Sequence, residues 1–336
     1  MMFFQSKRAK AVAAAVLLTL ALGAAAGCGG DKKDAADKAA KANVGIVQLV
    51  EHAALDAANK GFVDGMAKKG YKEGENVAYD RQNAQADQSN LQNIAHRFVN
   101  NKVNLICAIA TPAAQTMANV APDIPIVATA VTDYKAAKLI KDDNKPGTNV
   151  TGTTDMNPVA DQLDLLLKIV PAAKTVGIIY CSSEVNSQMQ ADLLKKHAAE
   201  KGVAVKEATV SNVNDIQQAA RSLVGGVDAI YVPTDNVLAS AMPTLASVTR
   251  EAKLPVICGE GGMVKAGGLA TLGVDYYKLG VQTGEMAADI LAGKSKPAEM
   301  PIQAQKEFKV IINAKEAEII GVKVPEELLK DAEVVK

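Results

Sequence analysis

The stretch Val47-Gln-Leu-Val-Glu-His-Ala-Ala-Leu-Asp56 runs from an apolar, strand-like segment directly into a helical pattern. Glu51 and His52 stand at the junction. An acid beside a histidine at a strand end suits catalysis, the lip of a binding pocket, or the capping of a helix. The rest of the chain repeats this passage from strand to helix. That repetition predicts the fold and helps to weigh the three interpretations.

Short β-branched runs alternate with longer amphipathic runs from Asn43 onward. The predicted strands are 43–50, 76–82, 103–109, 124–130, 148–152, 174–181, 203–210, 227–232, 254–258, 269–273 and 308–313. The predicted helices are 54–69, 88–101, 112–120, 157–169, 185–200, 213–224, 236–251 and 275–292. This alternation predicts an α/β fold with parallel sheets that are covered by helices on both faces.

The alternation falls into two series of similar size, which predicts two Rossmann-like lobes. We expect lobe 1 to hold residues 43–152 plus about 275–305, and lobe 2 to hold residues 153–274 plus about 306–336. The chain would then cross between the lobes several times. Two lobes joined by a multi-crossover hinge form a cleft that closes on a ligand.

The first residues are typical of an export signal. Lys7, Arg8 and Lys10 precede an apolar run over residues 11–26, and small residues lead to Cys28. This end resembles a bacterial lipobox, in which the cysteine carries the lipid. We therefore predict a lipoprotein signal peptide over residues 1–27, lipid attachment at Cys28 and a polar tether over residues 28–42, which together give a membrane-anchored extracytoplasmic protein. The alternative is an ordinary secretory signal with a chance cysteine.

Composition and motifs argue against several classes of function. The 37 basic and 37 acidic residues balance, so nothing indicates nucleic-acid binding. Cys107, Cys181 and Cys258 each end an apolar run, and we expect buried free thiols rather than metal ligands. The sequence contains no nucleophile elbow, phosphate-binding loop or zinc motif. We therefore expect no catalysis, no metal and no cofactor.

Polar side chains follow the predicted strands, and in open parallel sheets ligands lie beyond the carboxyl ends of the strands. The residue types suit a small zwitterionic ligand. Its carboxylate would bind at helix N-termini that carry hydroxyl groups, and its ammonium group would bind a buried acid. Asp235 and Glu260 are the best candidates for that acid, with Glu184 next, although Asp235 is equally suited to plain helix capping. The candidate ligand-binding residues are Gln48, Glu51, His52, Thr111, Ala113, Ser182, Ser183, Asn186, Ser187, Asp235, Asn236 and Glu260.

Several segments together resemble one known family. They are Val47–Asp56, Ala110-Thr-Pro-Ala-Ala-Gln115, Gly147-Thr-Asn-Val-Thr-Gly152, Tyr180 with Glu184-Val-Asn-Ser187, Tyr231-Val-Pro-Thr-Asp-Asn236 and Asp275-Tyr-Tyr-Lys-Leu-Gly280. The chain is similar to the substrate-binding lipoproteins of ABC transporters, in the tryptophan/tyrosine-type subgroup with the type I periplasmic-binding fold. The resemblance implies a monomer that captures an amino acid, often aromatic, and passes it to a membrane permease.

The resemblance also implies roles for individual residues. Thr111, Asn186, Ser187, Asp235 and Asn236 would face the ligand, and Glu51 and His52 would lie at the cleft mouth. Two positions depart from the family pattern: Asp133-Tyr134 stands where Asp-Pro is expected, and Cys181-Ser182 stands where Asn is common after the tyrosine.

Two other functions stay open at this stage. A ligand sensor without a transport role would have the same fold. A secreted α/β hydrolase would need an activated nucleophile, and the spacing of Ser182, Glu184 and His52 does not support one.

Overall fold

Two separate β-sheets organise residues 41–336, the part of the chain that the computed structural model describes. The predicted signal peptide, Cys28 and nearly all of the predicted tether lie outside the described residues. The strands are β1 Ala42–Gln48, β2 Val77–Asn83, β3 Leu105–Ile109, β4 Ile126–Val131, β5 Val150–Thr154, β6 Thr175–Cys181, β7 Ala204–Val210, β8 Ala229–Val232, β9 Val256–Cys258, β10 Ala270–Gly273, β11 Gln303–Ala304, β12 Lys309–Asn313 and β13 Glu333–Val335.

Helices connect these strands and cover the sheets. They are α1 Ala53–Lys68, α2 Gln88–Asn100, α3 Thr111–Val120, α4 Val159–Ile169, α5 Val185–Glu200, α6 Ile216–Leu223, α7 Asn236–Ser240, α8 Met242–Glu251, α9 Gly261–Lys265, α10 Tyr276–Leu291, α11 Ala314–Ile320 and α12 Glu326–Leu329. Short 3₁₀ helices lie at Val213–Asp215 and Pro297–Glu299. Within residues 41–336, no helix combines the length and the apolar character needed to cross a membrane.

The first sheet belongs to lobe 1 and has the strand order β11-β5-β4-β3-β1-β2, with every pairing parallel. The second sheet belongs to lobe 2 and has the order β13-β12-β10-β9-β8-β6-β7. Its β10–β12 pairing is antiparallel, and the others are parallel. The predicted α/β fold with two lobes and parallel sheets is confirmed.

The antiparallel pairing follows from the path of the chain. After β10 the chain leaves lobe 2 at the carboxyl edge of the sheet, forms α10 and β11 in lobe 1, and returns as β12. Because the chain re-enters at the edge where β10 left, β12 runs in the opposite direction. The sequence pattern showed a late strand near 308–313 but not its direction.

Three crossovers join the lobes, at residues 155–158, 274–275 and 305–308. The first two are tied together because the Val274 amide donates to Asn157 Oδ1 at 3.1 Å. The second and third are tied because the Asp275 amide donates to Gln305 Oε1 at 3.1 Å, and Gln305 Nε2 donates back to the Asp275 carbonyl at 2.6 Å. The crossovers therefore form one hydrogen-bonded hinge.

The lobe 1 core includes the returning helix α10, which packs on α1 through glycines. A Cβ atom at Gly61 or Gly65 of α1 would overlap a backbone carbonyl of α10. A Cβ atom at Gly280 or Gly284 of α10 would likewise overlap a carbonyl of α1. Small residues at these positions let the two backbones approach closely, and this contact fixes the returning segment on lobe 1.

The structure corrects one predicted element and adds others. The predicted continuous helix 236–251 is wrong, because α7 ends and α8 begins around Ala241, where φ is −126°. Pro243 explains the break, since it has no amide hydrogen with which to continue α7. The sequence analysis did not predict α9, β11, α11, α12 or β13. Cys107, Cys181 and Cys258 are buried and free, as predicted.

Candidate functional site

A cleft between the lobes lies at the carboxyl ends of the strands. Lobe 1 and the hinge line it with His52, Leu55, Ala130, Thr132, Asp155 and Tyr276, and lobe 2 lines it with Asn186, Thr234, Asp235, Asn236, Ala239, Glu260 and Met263.

The lobes meet directly inside this cleft. His52 Nε2 lies 3.3 Å from Asn236 Oδ1, and the hydroxyl groups of Thr132 and Thr234 are 3.4 Å apart. Each pair joins one lobe to the other, so the cleft is closed. A ligand of amino-acid size can enter only if these contacts separate.

The hinge supplies a buried acid to the cleft. Asp155 opens the first crossover, accepts a hydrogen bond from the Thr132 hydroxyl at 3.0 Å and accepts another from the Tyr276 hydroxyl at 2.6 Å. Burial raises the pKa of Asp155, and the two hydroxyl donors oppose that rise. A ligand contact at Asp155 would therefore act on both the cleft and the hinge. The sequence analysis did not select Asp155, although an acid directly after a strand and before a crossover was a usable signal.

Glu260 is a second buried acid at the cleft and caps α9. Its carboxylate accepts hydrogen bonds from the backbone amides of Gly262 and Met263, the latter at 2.8 Å. Burial raises the pKa of Glu260 to about 7, and the nearby Asp155 contributes to the rise. A cationic partner would lower the pKa of this buried acid, because the partner stabilises the ionised form.

Asp235 is the third acid of the cleft and caps α7. Its Oδ1 accepts from the Leu238 amide at 2.8 Å, and its Oδ2 accepts from the Cys181 amide at 2.6 Å. Burial raises the pKa of Asp235, and these backbone donors oppose the rise. The side chain therefore ties β6 to the start of α7 while it lines the cleft.

The cleft lining is rich in acidic groups. Three carboxyl groups line it, and within the described residues 41–336 no lysine or arginine does. Burial also lowers the pKa of His52, so its ring favours the neutral form. Such a site complements a ligand that carries a positive charge.

Two cleft atoms lack hydrogen-bond partners. Asn186 Oδ1 and His52 Nδ1 are buried, and neither has a partner within the described part of the chain. Buried polar atoms of native proteins are nearly always paired. Unpaired atoms at a cleft between lobes are therefore candidates for contact with a ligand.

Apolar groups form the remaining walls. Leu55, Ala130, Ala239 and Met263 line the cleft beside the Tyr276 ring. Alanines at two of these positions take up little space, and methionine adapts its shape to a neighbouring ring. The walls suit an apolar or aromatic side chain.

The structure brings five of the sequence-selected residues to the cleft lining: His52, Asn186, Asp235, Asn236 and Glu260. Ser187 is buried next to them, where its hydroxyl oxygen lies 3.3 Å from Asn186 Nδ2. The structure therefore places a sequence-selected residue from each of four different strand ends at one cleft.

Six other selected residues lie away from the closed lining. Gln48 is occupied by hydrogen bonds to Val50, Asp56 and Asn59. Glu51, Ser182 and Ser183 are exposed, and Thr111 and Ala113 are buried in the first turn of α3. Their roles toward a ligand remain predictions.

Two α/β lobes around a hinged cleft, with polar groups from both lobes converging in it, define a ligand-capture protein. The model of the family described as ABC transporter substrate binding protein matches residues 43–336. The chain belongs to this family, which is one of substrate-binding proteins rather than of enzymes.

Relatives support the assignment. The chain is 46% identical over 277 residues to a tyrosine-binding protein of Clostridioides difficile (strain R20291), an alignment that covers 82% of this chain and 80% of the relative. A Streptococcus pneumoniae ABC domain in complex with L-Trp is 39% identical, with a TM-score of 0.85, and the match covers 88% of this chain and 100% of that one. The ligand-free, open structure of a substrate-binding protein with adhesive properties from Clostridium difficile is 45% identical, with a TM-score of 0.67 and coverage of 88% and 99%.

Proposed function

We propose that this chain captures an aromatic L-amino acid in the cleft between its lobes and delivers it to an ABC permease for import. The observation that carries the proposal is the cleft itself. It presents Asp155, Asp235 and Glu260 as buried acids, with apolar walls alongside and no lysine or arginine in the lining within residues 41–336. An ammonium group beside an apolar side chain matches that arrangement.

The choice of an aromatic side chain rests on two supports. Leu55, Met263 and Tyr276 give a surface on which a ring packs, and the small Ala130 and Ala239 leave room for it. The names of two relatives, a tyrosine-binding protein and a domain in complex with L-Trp, point the same way.

Closure of the two lobes is the second part of the proposed function. The contacts His52–Asn236 and Thr132–Thr234 hold the lobes together in this structure. The chain is also more similar to the complex with L-Trp than to the open, ligand-free structure, at TM-scores of 0.85 and 0.67. We infer that the described arrangement is the closed one that docks on the permease, and that the free protein opens to admit its ligand.

The proposed location follows from the first residues. Residues 1–27 would be removed as a signal peptide, Cys28 would carry the lipid, and residues 28–42 would tether the lobes outside the cytoplasm. We propose a monomer that reaches its permease by moving along the membrane surface.

Calorimetric titration with a panel of amino acids tests the proposal. We expect L-tyrosine, L-tryptophan or L-phenylalanine to bind with a Kd of about 1 μM or tighter, and L-leucine to bind at least about tenfold more weakly. Tighter binding of aliphatic amino acids would contradict the aromatic assignment. Failure of every amino acid to bind would contradict the ligand class.

A further inference from the structure

Glu184 is a buried acid immediately behind the cleft, and it is not among the residues that line it. It precedes α5 and receives hydrogen bonds from four N–H donor groups. These are the Asn186 side chain at 3.0 Å, the Asn236 side chain at 2.6 Å, and the backbone amides of Asn236 at 3.1 Å and Val237 at 3.2 Å. Burial and the neighbouring Asp235 raise the pKa of Glu184, and these donors oppose the rise because they favour the ionised carboxylate, which only accepts hydrogen bonds.

These hydrogen bonds fix which end of each asparagine amide faces the cleft. The Nδ2 group of Asn236 points away from the cleft to Glu184, so its Oδ1 atom faces His52 at 3.3 Å. The Nδ2 group of Asn186 points to Glu184 and to the Thr234 carbonyl at 2.9 Å, which leaves its Oδ1 atom unpaired. Glu184 is the side chain that holds the Asn236 amide, whereas Glu184, Ser187 and Thr234 all accept hydrogen bonds from the Asn186 amide.

We propose that Glu184 is a positioning residue. It turns both asparagine amides so that lobe 2 offers hydrogen-bond acceptors to the ligand, and these acceptors favour a ligand that has an ammonium group. This inference rests on the proposed function. With Asp235 and Glu260 on the same wall, lobe 2 then presents acceptor atoms from four side chains. A ligand without an ammonium group would leave the buried Asn186 Oδ1, which has no partner within residues 41–336, unpaired, and unpaired buried acceptors are strongly disfavoured.

A purely structural role for Glu184 predicts something different. Glu184 also holds the first amides of α7, so its loss would lower stability in either case. Only the positioning role predicts that selectivity between ligands changes. Glu184→Gln keeps the size of the side chain but adds an N–H donor that faces the Asn236 amide donor. The Asn236 amide is then expected to rotate and to present its Nδ2 group to the cleft.

The experiment compares three ligands by calorimetry: L-tyrosine, its amine tyramine, and its deaminated acid 3-(4-hydroxyphenyl)propionate. For the unmodified protein we expect the deaminated acid to bind at least about a hundredfold more weakly than L-tyrosine. In Glu184→Gln we expect L-tyrosine to weaken by about tenfold or more, and the gap between L-tyrosine and the deaminated acid to narrow. Glu207→Gln, on the exposed face of β7 in the same lobe, is the matched control and is expected to leave all three affinities unchanged.

A double-mutant cycle separates positioning from loss of folding. Asn236→Ala removes the amide through which Glu184 acts and leaves the other donors to Glu184 in place. If Glu184 acts through Asn236, adding Glu184→Gln to Asn236→Ala will produce a smaller change in selectivity than Glu184→Gln produces alone. Full additivity of the two changes would overturn the inference.

The outcomes distinguish this inference from the proposed function. Tight binding of L-tyrosine with unchanged selectivity in Glu184→Gln would overturn the positioning role and leave the proposed function intact. Failure of all three ligands to bind would contradict the proposed function. In that case a neutron crystal structure of Glu184→Gln, which locates the amide hydrogens, still decides the positioning claim: a rotated Asn236 amide supports it, and an unchanged hydrogen-bond pattern overturns it.

Discussion

At the scale of single residues, Glu260 should make the predicted binding depend on pH. Burial raises the pKa of Glu260 to about 7. The protonated form therefore contributes to the stability of the ligand-free protein at low pH, and this contribution is lost as the pH rises through about 7. A ligand ammonium reverses this preference, because it stabilises the ionised carboxylate. Binding should therefore release a proton near neutral pH.

We expect the affinity for the amino acid to fall as the pH drops below about 7, by up to about tenfold for each pH unit. Calorimetry at pH 8, 7 and 6, in buffers with different ionisation enthalpies, measures both the affinity and the released proton. Glu260→Gln should flatten this dependence, because the amide that replaces the carboxyl group does not titrate. An affinity that is constant from pH 8 to pH 6 would contradict the role of Glu260.

Some residues of the cleft could be predicted from the sequence, and others could not, for a physical reason. His52, Asn236 and Glu260 each follow a strand, and the strand-end rule for parallel sheets led to all three. Asp155 also follows a strand, but it lies on a crossover, and its position in the cleft depends on how the two lobes fold together. The role of Glu184 depends on amide orientations, which no sequence pattern encodes.

At the scale of elements, the contact between α1 and α10 holds the returning segment on lobe 1. The four glycines of this contact form two Gly-x-x-x-Gly pairs, one on each helix. The sequence analysis predicted both helices but not their contact, because it depends on which lobe the chain re-enters. The break between α7 and α8 was missed although Pro243 was visible, because the apolar pattern continues across it.

Gly284→Ala is expected to lower the free energy of unfolding by about 1–3 kcal/mol, despite the better helix propensity of alanine. The added Cβ atom would overlap the Phe62 carbonyl oxygen and lie 2.8 Å from the Met66 amide nitrogen. Urea denaturation followed by circular dichroism measures the change. Ala67→Ser, on the exposed side of α1, is the control and should stay within about 0.5 kcal/mol of the unmodified protein. Equal stability of Gly284→Ala and the unmodified protein would show that the helices have room to separate.

At the scale of the whole molecule, the three crossovers decide how the two sheets move. Asn157 and Gln305 link neighbouring crossovers by hydrogen bonds, so the hinge should move as one unit. The alternation of strands and helices was sufficient to predict two lobes with parallel sheets. It was not sufficient to predict the antiparallel β12, whose direction depends on the edge at which the chain returns.

The proposed membrane anchor also concerns the whole molecule. We expect Cys28→Ser to move the protein from the membrane fraction to the soluble extracytoplasmic fraction of the producing bacterium, because a lipidated cysteine is the proposed attachment. Fractionation and mass spectrometry of the mature N-terminus give the readout. Retention of the variant in the membrane would contradict lipid attachment at this residue.

On our proposal, the ligand is enclosed between the two lobes. The contacts His52–Asn236 and Thr132–Thr234 must separate to admit it and form again around it. Small-angle X-ray scattering of the protein, before and after saturation with the aromatic amino acid that binds in calorimetry, measures this most directly. We predict that the radius of gyration decreases on addition of the amino acid and does not change with the deaminated analogue. Tight binding of the amino acid with an unchanged radius of gyration would contradict capture in the cleft.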